Sequence, residues 1–486
     1  MKILLTSLPY FDNSFHVHKE MQSGIGYRIL RSGNLNAQKK IYPICDLLYT
    51  AAILRNNKFN LVVDDDQFLQ SKNFNEYFYN LSKKCGVPDI VIVRTSLPTI
   101  NSDLEIAQKL KLKWKKAKFF VYGPIFASKD ILEFIKNKKF FDGIIVSEIE
   151  SVIMDILKKN KNIPGYYFLK NKKYFIDNIE TSYTEMNKLP PPAYEFVDYK
   201  KINRFYIQTQ RGCPVGCAYC PYYLSQKNKF RSKTPDTVIK ELKFLVKKFN
   251  AKTIAIHDPI ISLDNKRLIE ICNLIIKNKL NIKWECETHL AHINNDLLIL
   301  MKKAGCSFMS MGIESANQEV LSTVNRKFKK WDQAKKIINF CKKIGIRTRG
   351  FFILGLPEDT IKGSFASIKL LQYLDLDAAK FNLPIPIPNT LPYYQGLDLG
   401  ILSKKEMKEN PDIFFEKLGA HHDGNDVSLS KKISDNQLQN IFKVANHYAS
   451  MIKNENLIHR LSKYLKIIFY KFFIYFEEFT KKLKYN

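Results

Sequence analysis

Residues 211–220 read Arg211-Gly-Cys-Pro-Val-Gly-Cys-Ala-Tyr-Cys220, and the rest of the chain is organised around them. They place Cys213, Cys217 and Cys220 in a C-x3-C-x2-C array near the middle of the sequence. Three thiolates at that spacing can hold one iron–sulfur cluster. A [4Fe–4S] cluster has four irons, so three cysteines leave one iron open to another ligand, which suits a catalyst better than an electron carrier closed by four. The plain alternative is three unconnected core thiols. With 9 Cys in 486 residues, the pattern arises by chance roughly 0.003 times per chain, which counts against that alternative. Zinc fits poorly too, because structural zinc closes its shell with four ligands.

The length suffices for two or three domains with sizeable cores, and a hydrophobic content of 45% supports a globular protein. The formal charge of +30 raises the question of nucleic acid. The lysine excess is scattered, however, and accompanied by Asn and Ile throughout, so no basic stripe forms and no nucleic-acid partner is expected. The six other cysteines, 45, 85, 272, 286, 306 and 341, are isolated and sit mostly in apolar runs. They read as reduced core residues, which implies a cytoplasmic protein. Met1-Lys-Ile-Leu-Leu-Thr-Ser is too short an apolar run for a signal peptide and reads as a first strand. No segment has the length needed to span a bilayer.

Residues 1–160 alternate strand-like apolar runs with helical periods, the pattern of a doubly wound parallel sheet, an α/β Rossmann-like fold. Strands are expected at 2–7, 60–65, 88–94, 117–122 and 141–146. Between the first two lie a long insertion, 8–42, and a buried helix beginning at Ile44. Ligands of such folds bind outside the carboxyl ends of the strands, here where the loops after 7, 94 and 122 converge. Residues 161–204 read as a linker, since Leu189-Pro-Pro-Pro-Ala193 cannot continue a helix or a central strand.

Phe205-Tyr-Ile-Gln-Thr209 is then a short strand that delivers the cysteine loop, and Thr234-Pro-Asp opens a helix with an N-cap and a first-turn proline. The unit repeats, with strands near 253–257, 282–287, 307–313, 346–354 and 378–384, each followed or preceded by a helical period. Six βα units suit a partial (β/α)6 barrel, whose chemistry gathers at the carboxyl ends of its strands.

The cysteine array, with Tyr219 just before the third cysteine, resembles the signature of the radical S-adenosylmethionine (radical SAM) enzymes. The resemblance spans about residues 205–395 as the radical SAM core. It implies that S-adenosylmethionine chelates the open iron and is cleaved by an electron from the cluster to a 5'-deoxyadenosyl radical. It also implies cofactor-binding roles. Tyr219 belongs to the cluster loop, and Asp258 of Ile256-His-Asp-Pro259 would meet the methionine amino group. Glu314 of Met311-Gly-Ile-Glu-Ser315 would face the cofactor. Gly355 of Gly350-Phe-Phe-Ile-Leu-Gly-Leu-Pro-Glu358 would let backbone approach the adenine. Residues 1–160 resemble the cobalamin-binding domain that precedes many such cores, through Asp64-Asp65-Asp66, Pro88-Asp-Ile-Val-Ile-Val, Tyr122-Gly-Pro124 and Asp142-Gly-Ile-Ile-Val-Ser-Glu-Ile-Glu150. Two departures stand out. The Asp-x-His-x-x-Gly that often ligates cobalt is absent, although His16 and His18 lie in the insertion; and Tyr122, Ser147 and Ile149 stand where the family's glycines are usual.

Residues 396–486 read as mostly helical. Their end, Leu465-Lys-Ile-Ile-Phe-Tyr-Lys-Phe-Phe-Ile-Tyr-Phe476, is aromatic and basic; it either packs over the core or lies on an anionic membrane surface as a peripheral contact. Together the resemblances imply a radical SAM methyltransferase of the class B type. Its expected cofactors are a [4Fe–4S] cluster, S-adenosylmethionine and, if the domain retains it, cobalamin. An electron donor such as flavodoxin or ferredoxin and a small natural product or lipid as substrate complete the expectation. The alternatives are a cobalamin-free cyclisation, rearrangement or oxidation; a non-catalytic iron–sulfur binding or sensing protein; and, more remotely, an RNA-modifying enzyme.

Overall fold

The computed structural model describes residues 1–9, 15–18, 27–30, 43–65, 71–222, 226, 228–326, 328, 330–419 and 428–452. The aromatic and basic stretch 465–476 lies outside them. Two compact units emerge, one of residues 1–214, 221–257 and 403–419, the other of 215–220, 258–402 and the described part of 420–486.

The first unit is built on a seven-stranded sheet. Strands β1 (Lys2–Ser7), β4 (Asn60–Asp65), β5 (Ile90–Arg94), β6 (Lys118–Tyr122) and β7 (Gly143–Ile145) are parallel in the order β4-β1-β5-β6-β7. Every residue of β5 is buried, as a strand covered on both faces requires. Helix α1 (Cys45–Asn56) presents Leu47, Ala51 and Leu54 to the core that also holds Ile3, Ile92 and Ile153. Helices α2 (Phe74–Cys85), α3 (Ile100–Lys113), α4 (Lys129–Lys136) and α5 (Ile149–Lys158) alternate with the strands. In the insertion, β2 (Phe15–His18) and β3 (Tyr27–Leu30) pair antiparallel.

Residues expected as linker extend the sheet: β8 (Tyr166–Lys170) and β9 (Lys173–Ile176) add antiparallel to β7. Asn171 and Lys172 turn between them with φ of 48° and 58°. The unit also holds the start of the repeating region. There β10 (Phe205–Ile207) pairs parallel with β13 (Thr253–Ile256), and the two-residue strands β11 (Gln210–Arg211) and β12 (Arg231–Ser232) pair antiparallel. Helix α6 (Pro235–Phe249) starts as its sequence dictates: the Thr234 side chain accepts from the Thr237 N–H, with proline in the first turn. Of the C-terminal region, the helices Lys404–Glu409 and Pro411–Gly419 belong to this unit, and the ring of Phe415 lies 4.8 Å from that of Phe134.

In the second unit four strands run parallel in sequence order: β14 (Lys283–Thr288), β15 (Cys306–Glu314), β16 (Arg347–Ile353) and β17 (Ala378–Asn382). Helices Asn265–Lys277, Asn295–Lys303, Gln318–Thr323, Trp331–Lys343 and Ile361–Leu374 alternate with them, and the helix Asp435–Met451 packs on β17 and on Ile361–Leu374. With β10 and β13 of the first unit, the chain has the six βα repeats expected from its sequence. All six remaining cysteines are buried.

Candidate active site

The chain reaches the cysteine loop from β11. Gly212, at φ +81°, has no room for a side chain, because a Cβ would stand 2.0 Å from the carbonyl oxygen of Lys229. Cys213 follows in the first unit, half-buried.

The remainder of the loop, 215–220, belongs to the second unit and is stitched into it. Ala218 N donates to Val324 O at 3.0 Å, Leu391 N donates to Ala218 O at 2.8 Å, and Asn325 Nδ2 donates to Gly216 O at 3.1 Å. Cys220 N closes a turn onto Cys217 O at 3.0 Å. The half-buried Tyr219 packs against Val320, Val324 and Leu356.

Tyr219 and Glu314, both expected at the cofactor, are brought together, near enough for each to act on the other's titration. Glu314 ends β15 at a break in register with β16 and takes a left-handed φ of 67°, a strained geometry for a side chain of its size. Burial pushes its pKa up, against the pull of Arg326 and of the tyrosine hydroxyl. Burial, and then Glu314, hold the Tyr219 phenol well above its ordinary range.

The sequence reading did not single out Arg326, yet it joins these groups. Its Nη1 lies 3.7 Å from Cys217 Sγ, and its Nη2 donates to Gly312 O at 2.7 Å. Burial works against its charge, but Tyr219, Glu314 and Cys217 outweigh it and raise its pKa. The arrangement explains Gly312, where a Cβ would fall 2.2 Å from Glu314 Oε1 and 2.9 Å from Arg326 Nη2. His289, which follows β14, lies near the same guanidinium; its Nδ1 accepts from Ala291 N at 3.1 Å, and its pKa is pushed down to about 3 by burial, Arg326 and His292.

The other two expected residues keep different company. Asp258 is fully buried, and its charge acts on the Arg267 guanidinium. Gly355 has φ +77° and donates its N–H to Asp359 Oδ2 at 3.0 Å; a Cβ there would meet Leu438 at 2.7 Å, so in this structure the position is closed by a helix.

In the first unit a cavity of about 70 Å³ opens at the carboxyl ends of β6 and β7, lined by Asp46, Tyr122, Ser147, Glu148, Glu150 and Arg211 among others. Glu148 accepts from both Arg211 and Arg231, which hold its pKa low although burial pushes it up. Glu150 pairs with Arg211 at 2.6 Å, but burial raises its pKa. Asp46 receives both its hydrogen bonds from Arg94 Nε, at 2.8 and 3.0 Å. Among the described residues the buried hydroxyls of Ser7, Tyr122 and Thr184 find no hydrogen-bond partner, and of the three Tyr122 lines the cavity. Burial is also what lifts the Tyr122 phenol.

Among the described residues no three His, Cys, Asp or Glu side chains converge on a single metal ion. Three thiolates with no fourth protein ligand are the donor set of a cluster with one open iron, whereas structural zinc closes its shell with four. The unpartnered hydroxyls of Ser7 and Tyr122, at the carboxyl ends of β1 and β6, fit a polar ligand, since an unsatisfied buried hydroxyl is costly and such a ligand would satisfy it.

Comparison with known proteins agrees with this geometry. An uncharacterised methyltransferase of Pyrococcus horikoshii is 28% identical over 246 residues, 49% of this chain and 53% of its own length. The anaerobic magnesium-protoporphyrin IX monomethyl ester cyclase of Rubrivivax gelatinosus is 31% identical over 180 residues, 37% of this chain and 32% of its own. The chain thus spans about half, or less, of these relatives. The structure of the radical S-adenosylmethionine methyltransferase TsrM from Kitasatospora setae, with cobalamin and a [4Fe–4S] cluster bound, matches with a TM-score of 0.60 at 13% identity, covering 83% of this chain and 79% of that one. That likeness is one of fold. Residues 207–365 match the Radical SAM superfamily, and the cysteine array lies inside that region.

Proposed function

We propose that this protein is a cobalamin-dependent radical SAM methyltransferase acting on an unactivated carbon of a small natural product or lipid. The observation that carries the reading is the meeting of Cys217, Tyr219, Glu314 and Arg326 around the cysteine loop, in a chain whose fold matches a cobalamin-bound methyltransferase.

Cys213, Cys217 and Cys220 would hold the cluster, which supplies one electron to S-adenosylmethionine and so yields methionine and the hydrogen-abstracting 5'-deoxyadenosyl radical. Cobalamin, when bound, supplies a carrier for the methyl group of a second S-adenosylmethionine. The chain's own residues bind and orient. Glu314 offers a carboxylate to a cationic part of the cofactor, and Arg326 balances that charge beside the Cys217 thiolate. Tyr219 lies beside that carboxylate and shields it from water. Ser7 and Tyr122 offer hydroxyls to amide groups at the strand ends. No histidine motif serves as a lower ligand, so His16→Ala with His18→Ala should leave a bound cobalamin's spectrum unchanged. A flavodoxin- or ferredoxin-like donor would deliver the electron.

The second reading is a cyclisation or related radical reaction without cobalamin; the 31% identity to a cyclase supports its cyclisation part. Anaerobic purification and reconstitution, with iron and cobalt counted per chain and products measured, separates the two. The first reading expects cobalt, with 5'-deoxyadenosine and S-adenosylhomocysteine formed in equal amounts. Absence of cobalt with 5'-deoxyadenosine alone promotes the second, and a bound cluster without cleavage of S-adenosylmethionine leaves only a non-catalytic iron–sulfur protein.

A further inference from the structure

Arg211 stands two residues before Cys213, and its side chain is held by the loop that follows β7. Nη2 donates to Glu150 Oε1 at 2.6 Å, Nη1 donates to Glu148 Oε2 at 3.1 Å, and Nε donates to Gln208 Oε1 at 3.1 Å. The Arg211 side chain is 5% exposed and that of Glu150 1%, so the pair is removed from water. Arg231 grips the same Glu148 through two further bonds, at 2.9 and 2.8 Å. It also donates to Gln226 O at 3.0 Å, while Gln226 Oε1 accepts from Gly212 N at 3.0 Å. The chain entering the cluster loop is therefore tied by buried, charge-assisted bonds to two carboxylates. Such bonds have few alternative arrangements, because a desolvated charge that loses its partner is left stranded.

Those carboxylates have a second place in the fold. Glu148 caps helix α5 and Glu150 lies in its first turn, and both line the cavity at the carboxyl ends of β6 and β7. A ligand settling there meets the groups that hold Arg211. We propose that Arg211 is a positioning residue that couples occupancy of this cavity to the loop bearing Cys213. The proposal rests on the reading that cobalamin lies over these strand ends, with the cavity as the part of that site beside Arg211.

The test uses the full chain, purified anaerobically and reconstituted with iron and sulfide. Loss of iron to a chelator and hydrogen exchange of the peptide containing Gln208–Cys213 are each measured with and without hydroxocobalamin. In the unaltered protein the ligand should slow both by about fivefold or more, the lower end of coupling between linked sites. Arg211→Gln, at unaltered iron and cobalt content, should lose the effect, and Arg211→Lys should keep part of it. Should Arg211→Gln fail to hold iron, Glu150→Gln, which leaves the Glu148 bond in place, should weaken the effect. A full effect in Arg211→Gln, or in Glu150→Gln where that variant decides, overturns the proposal. So does cobalt binding by the unaltered protein with neither rate changed, and the cobalamin reading then stands. Absence of bound cobalt in the unaltered protein overturns that reading, and the coupling with it.

Discussion

Arg326 holds its Nη1 3.7 Å from the sulfur of Cys217 while its Nη2 is anchored on the carbonyl of Gly312. A cationic donor beside a cluster thiolate stabilises the reduced, more negative state of the cluster, so it raises the reduction potential. Arg326→Gln should therefore lower the midpoint potential of the bound cluster, and Arg326→Lys, which keeps charge but not the planar fork, should fall between. A redox titration followed by electron paramagnetic resonance reads this directly. An unchanged potential in Arg326→Gln would mean that the guanidinium does not act on the cluster.

The cysteines divide into two groups with opposite expectations. Changing Cys213, Cys217 or Cys220 to Ala should remove bound iron, because two thiolates do not hold a cubane firmly. Cys272, Cys286 and Cys341 are buried in the core. Their change to Ala should leave iron content intact and lower the unfolding free energy by about 1–2 kcal/mol, a small packing loss. Iron analysis beside urea unfolding checks both halves, and normal iron in Cys217→Ala would overturn the assignment.

The central strand of the first unit is legible because a strand buried on both faces is a nearly unbroken apolar run: 88–94 is expected and Ile90–Arg94 observed. In the second unit 346–354 is expected and Arg347–Ile353 observed, a strand that alternates buried residues with half-buried or exposed ones. The hairpin of β8 and β9 is not legible. Its residues are half-exposed or exposed, and its turn uses Asn171-Lys172 at positive φ in place of the Asn-Gly that would have announced it. At the site, Tyr219 and Glu314 could be named from their motifs. Arg211 and Arg326 could not be assigned roles, since two arginines among 77 basic residues carry no spacing signal and gain meaning only from the carboxylates and the thiol that the fold sets beside them. Gly355 matched a motif as well, but Leu438, which fills the space before it, is more than eighty positions away in sequence.

His289 gives the stability a pH dependence of known sign. Its folded pKa of about 3 lies below the ordinary 6.5, so as pH falls the unfolded chain takes up the proton first. The stabilisation is complete above pH 6.5 and drains away toward pH 3. Between about pH 6.5 and 5 the loss should be about 2 kcal/mol. Urea unfolding of the unaltered protein and of His289→Gln at those two pH values isolates the contribution, since glutamine does not titrate. Equal losses in the two proteins would show that the imidazole is not held neutral by its surroundings.

Lys233 is fully buried, and its ammonium donates to Glu241 Oε2 at 2.5 Å and to the Tyr49 hydroxyl at 3.0 Å. The tyrosine donates to Glu241 Oε1 at 2.7 Å and accepts from Gln208 N at 3.1 Å, which joins helix α1 to the strand leading into the cysteine loop. Lys233→Met leaves the Glu241 carboxylate buried with only the phenol to answer its charge, and the cost should be about 3–5 kcal/mol. Lys233→Met with Glu241→Leu removes both charges, and because an apolar pair of similar volume avoids the desolvation penalty, the double variant should recover most of that loss. Unfolding of the cluster-free protein in urea measures all three. A cost below about 1 kcal/mol for Lys233→Met is what a solvent-exposed pair would give; it would mean that water reaches this lysine, and that the segment at Gln208, just after β10, is not braced from α1.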